Sequence, residues 1–370
     1  MSGWRPAAWA SASTGPSSVG KRPLKILVSA KNQAYSFDCE PGEKILHAGL
    51  RSGVALPYEC GSGTCGTCEA KLLAGSIDDQ WPGAPGQAFL KPDTGEFLMC
   101  QCAPRTDCSL EVANVVKVMP ASACRPLTVD GVMRRRTMLT HDVASLDLEL
   151  FRPLDFEAGQ FMLVTVPGIA GARAYSMVNF EGGTKRLVFI VKKKSGGRLS
   201  EWLFGERVEG ARVGLFGPLG FATFHPDLAR NVLCIAGGSG IAGMMSILSR
   251  ACQDRYFERY AGHVFFGVRT AKDVFFLDEL AVFQAQYPWA LQVTVALSDE
   301  DVDPSLRDAH PTFGFAQGLV HVVAGAQMKG RFENVQAYAA GPPPMVDATL
   351  RMLLLEGKLK SDSIRYDKFS

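Results

Sequence analysis

Nine consecutive residues, Cys60-Gly61-Ser62-Gly63-Thr64-Cys65-Gly66-Thr67-Cys68, constrain this chain more than any other segment. They place three thiols on one short loop with the spacing C-x4-C-x2-C, and Cys100 follows after 31 intervening residues. Four thiolates that converge on one metal centre need a tightly wrapped loop. Glycine permits it, because a residue without Cβ reaches positive φ freely and lets backbone N–H groups approach anionic sulfur. By sequence, Cys100 and Cys102 both lie in reach as the fourth ligand. A structural zinc site is the competing reading, but it normally takes two C-x2–4-C hooks, and Cys100-Gln101-Cys102 is a poor second one.

The remaining cysteines of the ten, Cys39, Cys108, Cys124, Cys234 and Cys252, read as small packing residues. A disulfide scaffold is not expected, since Arg5 is followed by no apolar run of about 7–15 residues that would mark a secretory signal. A reducing, cytoplasmic setting is expected instead. The chain has 370 residues and a formal charge of +2, with 47% hydrophobic and 21% charged residues, which excludes wholesale disorder. No apolar stretch approaches the roughly 18–20 residues needed to span a bilayer, so no membrane association is expected. The near-neutral balance argues against nucleic acid as a partner, and Arg134-Arg135-Arg136 reads as a solvated strand end.

Composition divides the chain. Residues 1–22 are rich in Ala, Ser, Gly and Pro and are expected to be a disordered tail, with an organelle transit peptide as the alternative. Residues 23–115 open with the alternating strand Leu24–Val28, continue through a helical stretch at 44–52 and end after the cysteine cluster. Residues 25–115 carry seven basic and eleven acidic residues, hence −4, which leaves +6 for the remainder. Pro120 and Pro126 among small residues mark 116–126 as a linker. Residues 127–226 show short strands at 146–150, 161–166 and 187–191 separated by turns, the pattern of an antiparallel barrel. Residues 227–370 alternate strands at 231–236, 263–268 and 291–296 with helices at 244–250 and 345–356, the pattern of a parallel α/β sheet.

The cysteine spacing is that of plant-type 2Fe–2S ferredoxins. The stretch resembles the ferredoxin domains of oxygenase reductases, whose fourth ligand sits in a Leu-x-Cys-Gln segment. Leu98-Met99-Cys100-Gln101 matches, so the resemblance selects Cys60, Cys65, Cys68 and Cys100. From Arg173-Ala174-Tyr175-Ser176 onward the chain resembles the ferredoxin-NADP-reductase-like superfamily. That resemblance implies Arg173 at the FAD pyrophosphate, Tyr175 on the isoalloxazine and Ser176 near flavin N5, the last as the catalytic residue. It also implies flavin contacts from Val191 and Lys192 and from the turn Gly196-Gly197-Arg198-Leu199-Ser200.

Gly237-Gly238-Ser239-Gly240 follows a strand and opens a helix. Gly238, Gly240 and Gly243 also satisfy G-x-G-x-x-G, but no acidic residue ends the next strand, Phe265-Phe266-Gly267-Val268-Arg269-Thr270. The reductase-like reading fits better and places the nicotinamide cofactor on Gly237–Gly240, Arg269 and Gly341-Pro342-Pro343. Many relatives have cysteine where Ala340 stands, and proline where Gly243 stands. The terminal Tyr366-Asp367-Lys368-Phe369 resembles that of several oxygenase reductases, which would put Phe369 near the flavin.

The whole therefore resembles one-chain NADH-dependent reductase components of bacterial multicomponent oxygenases, with a β-grasp 2Fe–2S ferredoxin domain at 23–115, an antiparallel β-barrel FAD domain at 127–226 and a parallel-sheet α/β nicotinamide domain at 227–370. The resemblance implies electron flow from NADH through FAD and the 2Fe–2S cluster to a terminal oxygenase, which docks transiently on the ferredoxin domain of a monomer. A cytochrome or desaturase as acceptor, or a subunit role in a larger complex, are the alternatives. NADH is expected over NADPH because Asp273 offsets Arg269 and Lys272. The opposite charge balances suggest halves that separate at the linker.

Overall fold

The computed structural model describes residues 22–91, 93–206 and 208–368. The expected tail lies outside the described residues except Arg22, whose guanidinium meets Asp107 at 3.1 Å.

The first unit contains β1 (Leu24–Ala30), β2 (Ala34–Cys39), α1 (Ile45–Arg51), β3 (Val54–Ala55), β4 (Glu69–Ala74), β5 (Ile77–Asp79), β6 (Glu96–Leu98), β7 (Cys102–Pro104), β8 (Cys108–Val112) and β9 (Lys117–Val118). Its main sheet runs β2-β1-β8-β4-β6, with β1 and β8 parallel and the other pairs antiparallel. Helix α1 buries Ile45, Leu46, Ala48 and Leu50 in the same core as Ile26, Val28 and Phe37 of the sheet, the grip of a β-grasp fold. The segment expected as a linker starts inside this unit. Val116 is fully buried, Asn32 Nδ2 donates to its carbonyl at 2.8 Å, and β9 pairs with β3. An apolar residue with a pocket in the core has no reason to leave it.

The second unit is a six-stranded antiparallel sheet of β10 (Leu127–Met138), β11 (Val143–Leu154), β12 (Phe161–Thr165), β13 (Arg173–Ser176), β14 (Thr184–Lys192) and β15 (Arg212–Leu219). The order is β13-β12-β15-β10-β11-β14, and a bridge between Met177 and Phe189 joins the two ends into a barrel. Helix α2 (Arg198–Leu203) lies between β14 and β15. Within the basic cluster, Arg134 pairs with Glu149 and Arg136 donates to the carbonyls of Leu203 and Gly205.

The third unit alternates β16 (Asn231–Gly237), α3 (Ile241–Gln253), β17 (Gly262–Val268), α4 (Leu277–Gln286), β18 (Leu291–Leu297), α5 (Pro304–Ala309), β19 (Gly314–Gln317), α6 (Val320–Gln327), β20 (Val335–Gly341), α7 (Pro343–Leu355) and β21 (Ile364–Lys368). All its strands are parallel, in the order β19-β18-β17-β16-β20-β21. Helices cover both faces, which is why β16 reads as a continuous apolar run rather than an alternating one. Strand order reverses between β16 and β20, and a crevice forms at the carboxyl ends of strands at such a switch point.

The halves expected to separate at 116–126 lie in contact with one another. Along β12, Met162 and Val164 fill the barrel, whereas Phe161 and Leu163 join the ferredoxin core together with Ala172, Phe216 and Leu219. Both faces of the strand are thus covered, and the contact is apolar. Charge partition between halves did not reveal it, because this part of the contact, along β12, is made by residues that carry no charge.

Candidate functional site

The cluster loop leaves β3 and returns to β4 through glycines that adopt the left-handed region, Gly61 (φ 62°), Gly63 (φ 85°) and Gly66 (φ 81°). This turns backbone donors inward: the amides of Ser62 and Thr64 point at Cys60 Sγ, at 3.3 and 3.5 Å. The four thiols fall into two hydrogen-bonded pairs, Cys60 with Cys65 and Cys68 with Cys100. Gln101, fully buried, donates from Nε2 to Cys100 Sγ at 3.2 Å and accepts from Lys44 Nζ at 3.3 Å. The bond from the Cys65 thiol, with those from Ser62 and Thr64, holds the Cys60 thiol well below its ordinary value. Cys102 stands apart; burial first, then Asp79, pushes its thiol up to about 12.

On the barrel, β13 presents the flavin candidates. Ser176 is buried, and Tyr175 is partly buried and tilted against Phe189 at 6.3 Å. Arg173 Nη1 donates to the carbonyl of Ala172 at 2.8 Å. At the end of β14, Val191 is packed in the barrel core and Lys192 Nζ is paired with Asp142 at 3.1 Å. In the adjoining turn Gly196 N–H donates to Glu201 Oε1 at 2.9 Å. Ser200 Oγ accepts from Lys194 N–H and lies within hydrogen-bond reach of the carbonyls of Gly197 and Lys194. Leu199 is buried. This turn therefore spends its side-chain hydroxyl on its own closure, and Arg198 is its exposed cation, donating to Gly168 O at 3.2 Å.

At the switch point the glycines of β16 and β20 meet. A Cβ on Gly240 would fall 2.3 Å from Ala340 O and 2.7 Å from Gly341 N, so the two turns can touch only through glycine. Gly238 (φ 52°) faces open space, room for an anionic group over the amides that open α3. Ser239 and Pro343 are partly buried and Pro342 exposed at the mouth. Arg269 is exposed just past β17, where the Thr270–Asp273 capping box begins: Asp273 Oδ2 accepts from Thr270 N at 3.1 Å and from Thr270 Oγ1 at 2.7 Å. A Cβ on Gly243, in the first turn of α3, would lie 3.6 Å from Ser176 Oγ, which sets the nicotinamide turn directly against the flavin strand.

Family models match the three units in turn: a 2Fe-2S iron-sulfur cluster binding domain over residues 28–105, an oxidoreductase FAD-binding domain over 130–224 and an oxidoreductase NAD-binding domain over 234–351. The chain is 35% identical to the ferredoxin–NAD(P)(+) reductase CarAd of Metapseudomonas resinovorans, over 90% of this chain and 96% of that one. It is 33% identical to the ferredoxin–NAD(+) reductase component of the alkene monooxygenase system of Xanthobacter autotrophicus, over 91% and 99%. Among solved structures, the ferredoxin reductase in carbazole 1,9a-dioxygenase superposes with a TM-score of 0.79 at 32% identity, covering 95% of this chain and all of that one. The chain belongs to this family of ferredoxin–NAD(P)+ reductases.

The reductase is thus a flavin iron–sulfur oxidoreductase using FAD, a 2Fe–2S cluster and a nicotinamide dinucleotide. Its thiols fit the cluster on geometry. A tetrahedral zinc site with Zn–S near 2.3 Å would bring four sulfurs to within about 4 Å of one another. Among the described residues, no three of these thiols come within 4.8 Å of each other; they stand as two pairs, an arrangement that would suit two irons better than one zinc. The amides and Gln101 aimed at sulfur suit an anionic cluster, and the carboxylate-free surroundings of Arg173 among the described residues suit an anionic ligand. No helix among the described residues is long and apolar enough to cross a membrane.

Phe369 lies outside the described residues. Residues that the motifs did not reveal also shape the site. Tyr58, two positions before Cys60, accepts the Gly220 amide at 3.0 Å across the domain boundary. Asp367 on β21 is buried beside Gly220 and close to Glu59; that burial, with the charge of Glu59, pushes its carboxyl up to about 7. Glu300, just past β18, accepts the Ala271 amide. None belongs to a contiguous motif, and only the three-dimensional neighbours give them meaning.

Proposed function

We propose that this reductase carries electrons from NADH, by way of FAD and a 2Fe–2S cluster, to the terminal component of an oxygenase system. The observation that carries the reading is the place of the barrel between two sites. Ser176 lies against Gly243 of the nicotinamide turn, while Leu163 and Leu219 lie against Gly61 of the cluster loop, 3.3 and 3.5 Å from where its Cβ would be. When bound, the flavin accepts two electrons as a hydride and releases them singly, as a 2Fe–2S cluster takes them.

The chain's own residues orient that exchange. Ser176 offers a hydroxyl to the flavin ring near N5, Tyr175 gives the ring a flat wall, and Arg173 neutralises the diphosphate. Val191 and Lys192 border the flavin from the end of β14, and the turn Gly196–Ser200 brings Arg198 beside the same loop. Gly237–Gly240 and Gly341–Pro343 seat the nicotinamide dinucleotide, with Arg269 at its far end. Cys60, Cys65, Cys68 and Cys100 hold the irons. The names of the alkene monooxygenase component and of the reductase in carbazole 1,9a-dioxygenase support an oxygenase as acceptor. The acidic ferredoxin half would dock it transiently. We place the reductase as a monomer in the cytoplasm, where cysteines outside disulfides, as all of its own are, persist.

The test uses the full chain. Cys100→Ser should keep NADH-driven ferricyanide reduction, which needs flavin alone, and lose cytochrome c and oxygenase reduction. Oxygenase reduction at full rate by this iron-free variant would overturn the order of carriers.

A further inference from the structure

We infer that Trp81 of the ferredoxin unit is a positioning residue of the flavin site: it holds the Arg173 guanidinium in place, so that FAD affinity depends on the docked ferredoxin domain. The inference rests on the assignment of Arg173 to the FAD diphosphate.

Arg173 Cζ stands 4.8 Å from the centre of the Trp81 ring, inside the range of about 6 Å over which a cation is attracted to an indole face. Among the described residues the guanidinium makes one hydrogen bond, to the carbonyl of Ala172. It is half-buried, and burial pulls its pKa down, so it is a cation short of an anion. A long, flexible side chain in that position has many rotamers to choose from, and the indole face selects among them before any ligand arrives.

The backbone beneath is shaped for the indole. Gly171 (φ 75°) lies so close that a Cβ there would fall 2.3 Å from the Trp81 ring. Only glycine suits both the angle and the approach. On its own side Trp81 is fixed by the ferredoxin fold. Its amide donates to Asp79 Oδ1 at 2.9 Å, Gln87 Nε2 donates to Asp79 Oδ2 at 2.8 Å, and its carbonyl accepts the Ala84 amide at 3.0 Å. The ring is thus anchored in the ferredoxin unit and laid across the domain boundary onto the loop that leads into β13. Arg198 reaches the same loop through Gly168 O.

Four full-chain variants test this: Trp81→Leu, Trp81→Phe, Arg173→Leu and the double variant Trp81→Leu/Arg173→Leu. The readouts are FAD affinity by flavin-fluorescence titration of the deflavinated protein and iron per chain. Trp81→Leu should raise the FAD Kd about fivefold, the scale of one partly desolvated cation–π contact, with two irons retained. Trp81→Phe, which keeps a ring face, should recover most of that loss. The double variant should bind FAD no more weakly than Arg173→Leu alone, because Trp81 acts through Arg173. Wild-type affinity in Trp81→Leu, no recovery by Trp81→Phe, or full additivity in the double variant each overturns the inference. Should Trp81→Leu lose its iron, Gly171→Ala displaces the ring without altering the ferredoxin sequence, and unchanged FAD affinity there overturns it equally. If Arg173→Leu itself binds FAD as the wild type does, it is the diphosphate assignment that fails.

Discussion

His47 lies flat on Phe216, with ring centroids 3.7 Å apart and planes 5° from parallel. One ring belongs to α1 of the ferredoxin unit and the other to β15 of the barrel, so the stack is a rivet between domains. His47 Nε2 is buried without a hydrogen-bond partner among the described residues, and burial, with Lys44 nearby, holds the imidazole well below its ordinary value of 6.5. Below pH 6.5 the unfolded chain takes up a proton that the docked one refuses, so stability is intact above that value and falls as pH drops. At pH 5 the loss reaches up to about 2 kcal/mol. His47→Phe should keep the stack and flatten the fall in thermal midpoint between pH 7 and 5. Residual slope is expected from His263, which burial holds at about 4. An unchanged slope in the variant would refute the assignment.

The fourth iron ligand separates cleanly by substitution. Cys102→Ser should retain close to two irons per chain, since Cys102 has no thiol hydrogen-bond partner among the described residues and lies on β7, where it pairs with Asp79 of β5. Cys100→Ser should lose the cluster absorbance. Iron analysis and visible spectra decide, and the reverse outcome sinks the pairing of Cys68 with Cys100.

Lys44 reaches the cluster through Gln101, and a positive charge there favours the more negative, reduced cluster. Lys44→Met should lower the midpoint potential on the order of tens of millivolts, as read by redox titration with the iron content unchanged. A potential that stays put would show that solvent screens the ammonium.

Cofactor choice should follow the carboxylates past β17 and β18. Asp273 and Glu300 both cap the Thr270–Ala271 backbone, so a 2′-phosphate arriving there meets two negative charges. NADH should be favoured over NADPH roughly tenfold or more in kcat/KM, and Glu300→Gln should narrow the gap several-fold. Steady-state kinetics with both nucleotides check this; a higher kcat/KM for NADPH in the wild type would overturn it.

The cluster loop and both glycine turns were legible because each is contiguous and its residue types are dictated by sterics. The barrel strands and parallel sheet were legible from their periods. The domain contact was harder to read, since Phe161-Met162-Leu163-Val164 looks like any buried strand until one asks what covers its second face. The uniform apolar run was the available signal. Trp81, His47 and Glu300 carried none, because each acquires its role from a residue far away in the chain. Ser200 was legible as part of a turn, but its hydroxyl proves committed to closing that turn.

Where Glu59, Gly220 and Asp367 come together, the first, second and third units share one buried corner. Glu59 leaves the ribosome long before Asp367 is made. The nascent ferredoxin unit therefore waits with the flank of its cysteine loop bare, first for Leu163 and Leu219 and finally for β21. The flank of the cysteine loop is thus fully covered only once the last strand of the chain is in place.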